Sequence, residues 1–180
     1  MSKPAAAVGG SIVTLRPNET VDANLNPGSP PNAWTPSTGT IHGVTSDDSD
    51  ATYAYVFSGS GEGELGEPGS LVLGFGTHSF SGVASIDSVT MWIRLRRGSS
   101  GGTLDFASRV GTTNNAFNTA TPTGSFALFT GTARTAKPGG GAWDQTAIDG
   151  LRCILTPFLG YDFGDWVLLA EVGADVAYTP

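Results

Sequence analysis

The sequence IDSVTMWIRLRRGSSGGTLDFASRV, residues Ile86 to Val110, indicates the fold class. Apolar and polar side chains alternate on both sides of a glycine-rich segment, Gly98 to Gly102, and such alternation is typical of half-buried strands. Because glycine tolerates the positive φ angles of a tight turn, we expect the two strands to form a β-hairpin. The inner face of this hairpin is predicted to belong to the core: Val89, Met91, Ile93, Leu95, Leu104 and Phe106.

The outer face of the hairpin is predicted to be a protein-contact surface. Alternation places Trp92, Arg94 and Arg96 on this face, with Arg109 across the hairpin. Tryptophan and arginine are the residues that most often carry binding energy at interfaces, which favours a contact role for the group. The alternative is that Trp92 covers a small satellite core under a loop.

The composition favours β structure in the rest of the chain. The 180 residues include 26 glycines and 11 prolines, and charged residues make up only 14%, so side chains suited to exposed helical faces are scarce. About eight strands with long loops can be recognised, which predicts an all-β, two-sheet antiparallel sandwich of the jelly-roll kind. At most one short helix is expected, between Asp144, which can cap it, and Leu151.

The chain is expected to form one domain, residues 11–180, after a flexible N-terminal arm, residues 1–10. Residues 20–40 contain four prolines and are predicted to be an irregular loop that Trp34 anchors in the core. Residues 41–44 are expected to pair briefly as a strand. Residues 58–70, rich in glycine and glutamate, are expected to be an exposed loop.

Charge and cysteine content limit the partners and the compartment. The formal net charge is −7 and the pI is about 4.5, so a phosphate backbone or an anionic membrane would be repelled, and we expect neither as a partner. We recognise no secretory signal and no membrane span. Cys153 is the only cysteine, which suits assembly in a reducing cytoplasm, and its apolar neighbours predict a buried thiol.

No catalytic constellation can be recognised, so we do not expect an enzyme or a cofactor. Residues Gly98 to Gly102 fit the pattern G-x-S-x-G, but a nucleophile elbow leads into a helix, whereas a strand follows here. His42 and His78 are the only histidines, and neither lies in a catalytic motif.

The acidic cluster Asp47, Asp48 and Asp50 has two interpretations. Closely spaced carboxylates in a turn can supply the hard oxygen ligands that Ca²⁺ prefers, although the spacing lacks the glycine and the final glutamate of an EF-hand loop. Aspartates also favour turns, because their side chains accept hydrogen bonds from nearby backbone amides. The turn is the favoured interpretation, and a Ca²⁺ site is the weaker alternative.

Five segments in this order resemble the small β-sandwich structural proteins of tailed bacteriophage virions. They are Leu15 to Asn18, Ser46 to Tyr53, Val89 to Arg97, Pro138 to Leu151 and Val167 to Tyr178. The resemblance implies a non-enzymatic virion component, assembled in the host cytoplasm, that binds phage capsid or tail proteins as a homo-oligomer. A capsid decoration protein is the first expectation, and a minor tail or fibre component is the alternative.

A binding module of a different class is the other hypothesis. Such a module would use aromatic side chains, with a cation near Asp47 to Asp50, to hold a carbohydrate on a host surface.

Overall fold

A computed structural model of the chain describes residues 10–25, 33–57, 69–80, 82–98, 102–158 and 166–180. Most of the predicted N-terminal arm, residues 1–9, and most of the predicted acidic loop, residues 58–68, lie outside the described residues.

The described residues form twelve strands and two short helices. The strands are β1 (Ser11–Leu15), β2 (Glu19–Leu25), β3 (Thr35–Pro36), β4 (Ala54–Phe57), β5 (Ser70–Gly74), β6 (Ser85–Arg97), β7 (Thr103–Val110), β8 (Thr113–Asn114), β9 (Asn118–Ala120), β10 (Ala127–Thr130), β11 (Leu151–Phe158) and β12 (Trp166–Thr179). The helices are α1 (Ile41–Val44) and α2 (Gln145–Asp149).

Two antiparallel sheets of six strands each make a sandwich. The first sheet has the order β10-β6-β12-β4-β3, with β1 also paired to β12, and the second has the order β2-β5-β11-β7-β8, with β9 also paired to β7. The strands from β4 to β12 occupy eight successive positions along the chain when β8 and β9 are counted as one position. In these position numbers the first sheet has the order 1-8-3-6 and the second sheet has the order 2-7-4-5. This double Greek-key order confirms the predicted jelly-roll sandwich.

The predicted hairpin is wrong, because β6 and β7 belong to different sheets. Strand β6 pairs with β10 and β12, whereas β7 pairs with β11, β8 and β9. The chain therefore passes from the first sheet to the second between Arg97, at the end of β6, and Thr103, at the start of β7, and residues 99–101 lie outside the described residues. A period of two determines which side chains face inward but not which strand lies alongside.

The predicted inner face is confirmed, since all six of its side chains are buried between the sheets. Trp34 is also buried, as expected, and its indole Nε1 donates a hydrogen bond to the Gly69 carbonyl at 3.2 Å. Strand β12 lies inside the first sheet, with β6 on one side and β4 and β1 on the other.

Two other segments differ from the prediction. Residues 20–25, placed in an irregular loop, belong with Glu19 to the edge strand β2, because the prolines of that region begin only at Pro27. Residues 41–44, expected to pair as a strand, form α1, whose N-cap Thr40 accepts a hydrogen bond from the Gly43 amide. The predicted helix after Asp144 is present as α2, so the described segments contain two short helices rather than one. In the described part of the chain, no helix has the length and apolar character needed to cross a membrane.

Candidate binding groove on the first sheet

A groove of about 470 Å³ lies on the outer face of the first sheet, and we call it the sheet groove. Its floor follows from strand register: Arg94 of β6 lies between Leu128 of β10 and Glu171 of β12. Its lining residues are Thr14, Arg16, Trp92, Arg94, Leu128, Thr130, Glu171 and Asp175. Four strands thus contribute side chains of both charge signs to one surface.

An alternating row of charges runs along the sheet groove. Arg16, which follows β1, pairs with Asp48 and donates from Nη1 to Glu171 Oε2 at 3.2 Å. Arg94 donates two hydrogen bonds to Asp50, at 2.7 and 2.6 Å, and its Nε lies 3.6 Å from Glu171 Oε1. Glu171 therefore lies between two arginines, and each arginine has a second carboxylate on its outer side.

The carboxylates at the two ends of this row, those of Asp48 and Asp50, come from the segment between α1 and β4. Strand β12 pairs with β4 at one end and with β1 at the other, which leaves its middle unpaired by strands on that side. The Val172 amide there donates to the Thr45 carbonyl at 2.9 Å. This contact fixes the segment beside the sheet groove, so that Asp48 and Asp50 reach the arginines.

The acidic cluster thus divides between a turn and ion pairs. The carboxylate of Asp47 accepts hydrogen bonds from the Ser49 amide, at 3.1 Å, and from the Thr52 hydroxyl, as the turn interpretation predicts. The two hydrogen bonds from Arg94 hold the pKa of Asp50 below its usual value. Among the described residues, no three acidic, histidine or cysteine side chains are grouped so that they could hold a metal ion. The Ca²⁺ alternative therefore gains no support from this arrangement.

Trp92 lies on the outer face, as predicted, but only 8% of its surface is exposed. The Arg16 guanidinium carbon lies 4.5 Å from the centre of the indole. The indole Nε1 donates to Asp175 Oδ1 at 3.2 Å, and Thr14 donates to the same oxygen at 2.7 Å. Trp92 is therefore a largely covered side chain on the outer face, in contact with Arg16 and Asp175.

The four residues predicted to form a contact surface do not lie together. Arg94 lines the sheet groove, whereas the Arg96 guanidinium lies 5.0 Å from the centre of the Phe126 ring. Arg109 is on β7 in the second sheet, where its Nε donates to the Gly111 carbonyl at 3.0 Å. Its placement beside the other arginines was wrong because it depended on the hairpin.

Sequence reasoning missed Arg16, Glu171 and Asp175 as groove residues. A signal for two of them was present, because Glu171 and Asp175 interrupt an otherwise apolar β12 and so point away from the core. The signal was incomplete because β12 has an irregularity between Leu169 and Glu171 that shifts its register against β6.

The other reactive side chains lie outside the sheet groove. The His42 ring contacts the hydroxyls of Thr20 and Thr40, and the His78 ring contacts the Gly76 carbonyl. Cys153 is fully buried, as predicted, and burial raises the pKa of its thiol, so the nucleophilic thiolate is not formed near neutral pH.

No protein-family model matches the sequence, and no curated protein matches it. Among the solved structures that match this chain are two carbohydrate-binding domains. One is the family 11 carbohydrate-binding module of the cellulosomal cellulase Lic26A-Cel5E of Clostridium thermocellum, with 13% identity, coverage of 95% of each chain and a TM-score of 0.40. The other is the CBM22-1 xylan-binding domain of Paenibacillus barcinonensis Xyn10C, with 15% identity, coverage of 95% of this chain and 97% of that chain, and a TM-score of 0.34.

Proposed function

We propose that this chain is a non-catalytic recognition domain that binds a carbohydrate in the sheet groove. The observation that supports it is the row of donors and acceptors in which Arg94 contacts both Asp50 and Glu171. Sugar hydroxyls both donate and accept hydrogen bonds, so a sugar site needs guanidinium donors and carboxylate acceptors side by side. Side chains already held in place by ion pairs lose less conformational entropy when the ligand binds.

The sheet groove also offers apolar surface next to its polar groups. Leu128 is 58% exposed on β10, beside Arg94. Pyranose rings have apolar C–H faces as well as hydroxyls, so such a mixed surface suits them.

The charge balance of the groove disfavours an anionic ligand. Four carboxylates, those of Asp48, Asp50, Glu171 and Asp175, surround two arginines. A phosphate-rich ligand would be repelled, as the negative charge of the whole chain also indicates.

A glycan array followed by titration calorimetry tests this function. We expect Arg94→Ala to weaken binding of the best array ligand by roughly tenfold to a hundredfold, because a hydrogen bond from a charged group is lost. Arg109→Ala is the matched control, because this arginine lies on the second sheet, and it should bind like the wild type. Absence of binding to every glycan, or equal loss in both variants, would contradict the proposal.

The virion role implied by the sequence resemblance is a second proposal, and it is favoured by the edge of β1, which within the described ranges pairs with no strand other than β12. Ile12 is 68% exposed there, and β1 contains no charged residue or proline, the devices that usually protect an edge strand. Such an edge can pair with a capsid or tail protein or with a second copy of the chain. Mass spectrometry of purified virions tests this role, and absence of the chain from virions would refute it. A carbohydrate-binding domain on a virion would satisfy both proposals.

A further inference from the structure

The indole of Trp92 lies close to the main chain of Gly173, and the guanidinium of Arg16 lies over the ring. Gly173 is directly opposite Trp92 in the pairing of β12 with β6, and a Cβ atom at position 173 would lie 2.2 Å from indole Cζ2. The guanidinium carbon of Arg16 lies 4.5 Å from the ring centre. The indole thus contacts main chain at Gly173 and is covered by a single long side chain, that of Arg16.

One of the two ion pairs that hold Arg16 in this position, the pair with Asp48, is of the exposed, weak kind, whereas its other partner, Glu171, is only 14% exposed. The Arg16 side chain is 31% exposed, and its partner Asp48 is 66% exposed. Ion pairs at such exposure contribute little free energy, since water and salt screen them. The contact of the guanidinium with the indole is also modest where water has access.

The orientation of the indole does not depend on Arg16. The indole Nε1 donates a hydrogen bond to Asp175, Thr14 donates to the same carboxylate, and the missing side chain of Gly173 leaves room for the ring. If Arg16 moved away, the exposed side of the ring would keep its place in the groove, with Thr130 at its border.

We infer that Arg16 is a displaceable cover over a sugar-stacking surface. In the closed form seen here Arg16 lies on Trp92, and in the open form a pyranose ring replaces the guanidinium on the indole while sugar hydroxyls take over hydrogen bonds to Glu171. This inference rests on the proposed carbohydrate-binding function and adds to it the stacking residue, Trp92, and the residue that controls access, Arg16. Asp48 stabilises the closed form, because it pairs with Arg16 on the outer side.

Two readouts test the inference, and the first needs no ligand. Protein labelled with 5-fluorotryptophan gives a ¹⁹F NMR signal for Trp92, assigned from Trp92→Phe, whose H₂O-to-D₂O shift measures solvent exposure of the ring. We expect this exposure to rise with salt in the wild type, to be higher in Asp48→Asn, and to be highest in Arg16→Ala. Asp105→Asn is the matched control, because that carboxylate is on β7 in the second sheet, where it accepts from Thr119.

The second readout is the affinity for cellohexaose, whose pyranose rings have flat C–H faces. Arg16→Ala should tighten binding roughly threefold to tenfold, because the ligand no longer has to displace the ion pairs and the cation–π contact. Asp48→Asn should tighten it less, and Asp105→Asn should not change it. Asp48→Asn also serves as the second variant if Arg16→Ala does not fold.

The outcomes separate the inference from the function on which it rests. Weaker cellohexaose binding by Arg16→Ala, with Trp92 more exposed, would overturn the inference, since Arg16 would then be a direct ligand contact. A Trp92 exposure that stays unchanged with salt and in Asp48→Asn would also overturn it, since the cover would be fixed. If the exposure changes as expected but neither cellohexaose nor any arrayed glycan binds, the carbohydrate function fails while the movement of Arg16 stands.

Discussion

Gly173 leaves the space in which the indole of Trp92 lies, because the two residues face each other across the pairing of β12 with β6. We therefore expect Gly173→Ala to lower the free energy of unfolding by about 1 to 3 kcal/mol, as overpacking of a filled site does. Urea denaturation measures this change. Gly124→Ala is the matched control, since an added Cβ at Gly124 meets no atom within 4 Å, and it should be neutral. Equal destabilisation by both substitutions would show that the indole does not rest on Gly173.

The Arg94 and Asp50 pair should make stability depend on pH in the acid range. The pKa of Asp50 is lowered in the folded chain, chiefly by the hydrogen bonds from Arg94. The pair therefore adds to the stability of the folded chain at pH values above the usual aspartate pKa of about 4. This contribution is lost as the pH falls from that value toward the lower pKa that Asp50 has in the folded chain. We expect the wild type to lose more stability than Asp50→Asn between about pH 5 and pH 3, by less than about 1 kcal/mol because the pair is partly exposed.

Thermal melts at several pH values check this expectation in a double-mutant cycle. In an Arg94→Ala background, Asp50→Asn should no longer change the acid dependence, because the partner is absent. The pKa of Asp144 is also lowered, first by Lys137 and then by the Ala147 amide, but that pair is the same in every member of the cycle and cancels. The same Asp50→Asn effect with and without Arg94 would contradict the pairing.

Leucines on the two sides of the first sheet should differ sharply in their contribution to stability. Leu95 of β6 is fully buried between the sheets, whereas Leu128 on β10 is mostly exposed on the outer face. Leu95→Ala should cost about 2 to 5 kcal/mol through lost burial and a remaining cavity, and Leu128→Ala should stay within about 0.5 kcal/mol. Chemical denaturation of both variants measures the difference, and a similar cost for the two would contradict the burial of Leu95 between the sheets.

Cys153 should be protected from thiol reagents in the folded state. Burial raises the pKa of its thiol, and β5 and β7 flank its strand on both sides. We expect Ellman's reagent to react with less than one equivalent of thiol in native protein at pH 8 and with a full equivalent in denaturant. Rapid reaction without denaturant would show that β11 is not enclosed as described.

The sequence predicted which face of a strand is buried better than it predicted which strands pair with each other. Alternation along residues 89–95 reports directly which side chains are apolar, so the buried face of β6 could be inferred. The glycines from Gly98 onward permit either a hairpin or a crossing between sheets, and only packing of the whole chain decides which occurs. That ambiguity placed Arg109 beside Arg94, although the two lie on different sheets.

The sheet groove was harder to predict because its contacts join distant parts of the chain. Arg16 and Glu171 are 155 residues apart in sequence, and Arg94 and Asp50 are 44 apart. No local pattern reports such pairs. The aspartate cluster could be assigned to a turn from its own sequence, but the arginines that engage two of its members could not.

The central position of β12 has a consequence for how the chain is made. This strand joins β6 to β4 and β1, and it is synthesised after all of them. Until the ribosome has released residues 166–179, the strands that β12 unites therefore have unpaired edges of the kind that promote aggregation. The first sheet therefore cannot be completed before β12 is available, and because its pairings are long-range, we expect folding in milliseconds to seconds rather than microseconds.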